Sequence, residues 1–96
     1  MPELTPPAER ILEVRAYLGL SRRKFEQETG VPDYNWHAVE SGRAQPTAAH
    51  INAIGARWPQ FRFWILTGEE IPEAGQISPK TEQLRKDSQR EKQRTA

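Results

Sequence analysis

Apolar residues recur at helical spacing through the first three quarters of the chain. Ile11, Val14, Arg15 and Leu18 share one face of a segment that opens at Pro6-Pro7, where proline suits a first helical turn, and closes at Gly19. Ser21 is a good N-cap for a second helix from about Arg22 to Thr29, anchored by Phe25 and broken at Gly30-Val31-Pro32. A third helix follows from about Asp33 to Ser41, with Trp36 and Val39 facing inward and Gly42 ending it. After the loop Arg43-Ala44-Gln45-Pro46, Thr47 opens a fourth, in which Ile51, Ile54 and Trp58 form one stripe up to Pro59. A fifth covers about Phe61 to Leu66 and ends at Thr67-Gly68. No segment alternates as a strand would, so the pattern predicts an all-α fold of five helices.

The apolar pattern then stops. Residues 75–96 contribute only Ile77, Leu84 and Ala96. The expected organisation is an N-terminal arm at 1–8, a folded domain at 9–74 and a polar tail at 75–96. Ser78-Pro79 is a sound helix start, but Leu84 alone makes a poor apolar face, and short isolated helices are marginal in water. The tail is therefore expected to be disordered or a frayed helix.

Composition narrows the function. At 96 residues the chain is one small domain. Its 14 basic and 13 acidic side chains leave a net charge of +1, which excludes a uniformly basic coat but not a local basic patch. There is no cysteine, hence no disulfide framework and no thiolate metal site. No apolar run is long enough for a membrane span and the N-terminus lacks a signal-peptide pattern, so a cytoplasmic location is expected. His37 and His50 have no metal-ligand spacing, Ser21 and Ser41 sit in no nucleophile motif, and no glycine-rich phosphate loop occurs. Neither catalysis nor a cofactor is expected.

A helix, a tight glycine turn and a second helix at 22–41 form a helix-turn-helix pattern. The pieces LGLS before it, TGV at its turn, VESGRAQP after it and WILTGE near residue 67 together resemble the lambda-repressor-like (Cro/C1, XRE-type) DNA-binding family. The resemblance covers about residues 9–70, and the run after WILTGE looks like small phage or prophage regulators. It implies that the third helix lies in the major groove of double-stranded DNA while the second crosses the backbone. By position, Asp33, Tyr34, Asn35, His37 and Ala38 meet base edges. Ser21, Arg22 and Arg23 ahead of that helix, with Ser41, Arg43 and Gln45 after it, bracket it with phosphate contacts. The resemblance also implies a partly buried ion pair between Arg15 and Glu40. This chain departs from the family in having Arg22 for a usual Gln, Glu26 for a small residue, and Pro32 for a capping Ser or Thr.

Aromatic spacing assigns the tryptophans to the core and leaves Phe63 the most exposed ring. The expected homodimer surface is Phe61, Phe63, Ile65 and Ile71. The implied function is a sequence-specific regulator, a repressor acting as a dimer on a palindromic operator. Two alternatives are an antitoxin that binds a toxin protein through its tail, and a protein-interaction module that has lost DNA binding. The length leaves no room for the self-cleaving domain of longer family repressors, so control is expected from a partner, dissociation or turnover.

Overall fold

The computed structural model describes residues 4–94; residues 1–3 of the expected arm and 95–96 of the tail lie outside the described residues. Six α-helices follow one another: α1 (Pro6–Leu18), α2 (Arg22–Thr29), α3 (Asp33–Glu40), α4 (Ala48–Arg57), α5 (Arg62–Thr67) and α6 (Pro79–Arg94). Single 3₁₀ turns at Pro59–Phe61 and Pro72–Ala74 punctuate the second half. The expected all-α architecture is present among the described residues, with one helix more than the pattern predicted.

Helix ends follow local chemistry. Gly19 closes α1 at φ 69°, and the chain turns back so that Leu20 N–H reaches the Arg15 carbonyl at 3.3 Å. The Ser21 hydroxyl accepts from Lys24 N–H at 3.1 Å and caps α2. Pro32 brings no capping side chain to α3; its carbonyl takes the Asn35 and Trp36 N–H groups, and Asp33 places a negative charge in the first turn. At α4, His50 stands where a capping box places Glu or Gln, and its Nδ1 accepts from Thr47 N–H at 2.9 Å.

The core joins α1 through α5. Ile11, Val14, Phe25, Trp36, Val39, Ile54, Phe61 and Ile65 are wholly buried. Phe25 sits between two tryptophans, with ring centroids 4.7 Å from Trp36 and 5.7 Å from Trp58. Trp58 and Trp64 pack at the core's edge, half-buried. The core also runs past both expected domain boundaries, because Ala8 is 2% and Ile77 5% exposed.

Two expectations are corrected here. Phe61 and Ile65, expected on a dimer surface, are wholly buried within the monomer. They lie one helical turn apart and point together into the core. The tail, expected to be disordered or frayed, is helical from Pro79 to Arg94. Leu84 does not hold it, being 59% exposed. Polar anchors do. Ser78 Oγ caps the first turn through Thr81 N–H at 3.2 Å, and Ser78 N–H donates to Glu70 at 2.7 Å. Hydrogen bonds from Thr81 and from Ser78 hold the Glu70 carboxyl below the usual carboxylate range. Glu82 accepts from the Tyr17 hydroxyl at 2.7 Å and from Gln60 at 3.1 Å, pinning α6 to the body.

Candidate nucleic-acid interface

The first tie on α3 comes from α2. Thr29, the last residue of α2, uses one hydroxyl three ways. It donates to the Phe25 carbonyl at 2.7 Å, accepts from Val31 N–H at 3.3 Å, and accepts from the Trp36 indole N–H at 3.2 Å. The turn at Gly30, φ 77°, is thus tied to both helices. Only the threonine ahead of the glycine hinted at this network in the sequence.

A second tie comes from α1. Arg15 Nε and Nη2 donate to the two Glu40 carboxylate oxygens at 2.6 and 2.7 Å, and Nη1 donates to the Leu20 carbonyl at 2.8 Å. The bidentate pair fixes the C-terminal end of α3 against α1, and the third bond adds the corner that leads into α2. The two ends of α3 are therefore held independently.

Between these ties α3 turns one face outward. Tyr34 is 72% exposed and His37 is exposed, while Asn35 and Ala38 are half-buried beside them. Asp33 is drawn toward α2: its Oδ1 lies 3.4 Å from Arg22 Nε but makes no hydrogen bond. The contact is a loose ion pair, with both side chains well exposed. Arg23 is exposed on the same turn as Arg22, and Ser21 is occupied as the cap.

The loop after α3 folds back on it. Arg43 Nη2 donates to His37 Nδ1 at 2.8 Å, and Arg43 Nε donates to Ser41 Oγ at 3.0 Å. Ser41 in turn donates to the Ala38 carbonyl at 3.2 Å. The Arg43 guanidinium is thus laid along the outer face of α3. Gln45 stands exposed further along the loop. The structure brings Arg22 to Asp33 and Arg43 to His37 and Ser41, and leaves Arg23 and Gln45 apart from these groups.

His50 also belongs to this framework, although the sequence offered it only as an unpaired histidine. Its ring stands edge-on to Trp36 at 5.3 Å, and burial pushes its pKa below the ordinary histidine value. No group of three or more His, Cys, Asp or Glu among the described residues is placed to hold a metal ion. No helix among them is long and apolar enough to cross a membrane.

Two short helices locked across a glycine turn, the second with a polar outer face, define a helix-turn-helix domain. The chain is 34% identical over 74 residues to Repressor protein C of Escherichia phage P2, an alignment covering 75% of each protein. It belongs to the lambda-repressor-like (Cro/C1, XRE-type) helix-turn-helix family, among its small phage-type regulators. No protein-family model matches the chain.

Proposed function

We propose that this protein is a transcriptional repressor that binds double-stranded DNA by laying α3 in the major groove. The observation that carries this reading is the outer face of α3, where Tyr34, Asn35, His37 and Ala38 form a strip bracketed by Arg22 and Arg23 on one side and Arg43 on the other. Tyr34 and Ala38 suit thymine methyl groups and Asn35 suits adenine. Ser21, Arg22, Arg23, Ser41, Arg43 and Gln45 set the register on the phosphates. Asp33 offers a carboxylate to a cytosine amino group once Arg22 turns to the backbone. Kinship to a phage repressor supports repression as the outcome, with the bound protein blocking polymerase.

One α3 spans few base pairs, so we infer a homodimer on a palindromic operator. With Phe61 and Ile65 in the core, the surface left for this contact is half-buried Phe63 and Ile71 together with Leu66, which is 57% exposed.

A gel shift with the DNA upstream of the protein's own reading frame, at two salt concentrations, tests the reading. Binding weakens as salt rises, and Arg22→Ala and Arg43→Ala each give a shallower salt dependence, by about one phosphate contact. Absence of any shift at low salt would sink it.

A further inference from the structure

Beyond its buried first residue, Pro79, helix α6 adds nothing to the core. Every residue from Gln83 to Gln93 is exposed, and at 16 residues the helix is about 24 Å long. The molecule accordingly measures 49 Å along one axis against 26 and 25 Å along the others. A polar helix that buries so little needs another reason to be placed so firmly.

One side of the helix is rich in cations and amides. Arg85, Lys86, Gln89, Arg90 and Gln93 share one side of the helix at i, i+1, i+4, i+5 and i+8. The carboxylate on that side is Glu82, which accepts from Tyr17 and Gln60 and stands 3.7 Å from Lys86 Nζ. Lys80, Asp87 and Glu91 lie on the other side. The stripe beyond Glu82 therefore presents cations and amides, which suits a polyanion rather than a mixed protein surface.

Its starting point matters as much. Lys86 Nζ stands 5.4 Å over the Tyr17 ring. Tyr17 lies at the end of α1, just before the Gly19 turn that leads to the Ser21 cap and Arg22. The basic stripe thus leaves the body beside Tyr17 at the C-terminal end of α1, four residues along the chain from the Ser21 cap of α2.

We propose that α6 is a second DNA-backbone contact, with Arg85 and Arg90 binding phosphates beside the segment held by α3. This rests on the reading that the chain binds double-stranded DNA. The contact reads no sequence, so it strengthens operator and unrelated duplex alike.

The test is the salt dependence of binding by the full chain, compared with a variant carrying Arg85→Gln and Arg90→Gln. Glutamine keeps the helix propensity and removes only the charge. Lys80→Gln, on the other side, is the control for net charge. The expected result is a slope of log K against log salt that is shallower by roughly one to two units per protomer in the double variant, on operator and unrelated DNA alike, and unchanged in Lys80→Gln. An unchanged slope in the double variant, with the operator still bound, overturns the inference and assigns the stripe to an acidic protein partner. If the unaltered chain binds no duplex at all, the proposed function itself fails and this contact with it.

Discussion

Both carboxylate oxygens of Glu40 are taken by Arg15, and the two side chains are only 8% and 20% exposed. Glu40→Ala strands a guanidinium that is largely out of water, which costs about 3 kcal/mol, the lower end for a buried pair. A thermal melt should show Tm falling by roughly 12 °C or more for a domain of this size. Well below that Tm the DNA contacts should persist, because Glu40 faces α1. An unchanged Tm refutes the role. Thr29→Val keeps the shape but removes the acceptor for the buried Trp36 indole N–H, for a loss of about 1–3 kcal/mol by denaturant titration. The ion pair was legible because the family pattern names both positions. The Thr29 network was not, because a threonine before a turn glycine has many partners open to it until the fold brings Trp36 across.

His50 as the cap partner of α4 makes that helix sensitive to pH. Its pKa is lowered in the fold, so below about 6.5 the unfolded chain takes up a proton that the folded chain resists. Stability therefore falls as pH drops from about 6.5 toward the folded value, and is flat in this respect above it. His50→Gln preserves the N3 acceptor and removes the titration. Denaturant midpoints at pH 5 and 7.5 should differ less in that variant than in the parent; an equal difference contradicts the assignment. Gly68 closes α5 at φ 78°, and a Cβ there would lie 3.0 Å from an Arg10 nitrogen, in a guanidinium whose Nε donates to the Ile65 carbonyl at 2.8 Å. Gly68→Ala should cost about 1–2 kcal/mol from the left-handed backbone alone, seen as a lower denaturant midpoint. Helices α1 to α4 are readable because each has a strong stop and at least one clear apolar anchor. Helix α5 and the turn before it are too short for periodicity to choose a face, so the pattern does not show that Phe61 and Ile65 point inward. Helix α6 was underestimated because its anchors, Glu70 to Ser78 and Glu82 to Tyr17, are polar and distant in sequence.

A net charge of +1 fits a nucleic-acid binder once the charges are located. Arg15 and Arg57 are spent on Glu40 and Glu28 within the fold. Arg22 and Arg43 stand against α3 instead, Arg23 and Lys24 are exposed on α2, and Arg85, Lys86 and Arg90 line α6. On the proposed reading such a surface gives modest non-specific affinity, and specificity rests on base contacts repeated by a second protomer. Leu66→Glu, on the surface left for that protomer, should shift the protein toward monomer in sedimentation and weaken operator binding at least tenfold without lowering Tm. The most direct measurement is selection of bound sequences from a pool of random duplex DNA. A two-fold symmetric motif should emerge, with half-sites centred about one helical turn apart, roughly 10–10.5 base pairs or a multiple of it. Tyr34→Ala or Asn35→Ala should blur the bases within each half-site while keeping the spacing. A pool that shows no enrichment would contradict DNA recognition by α3.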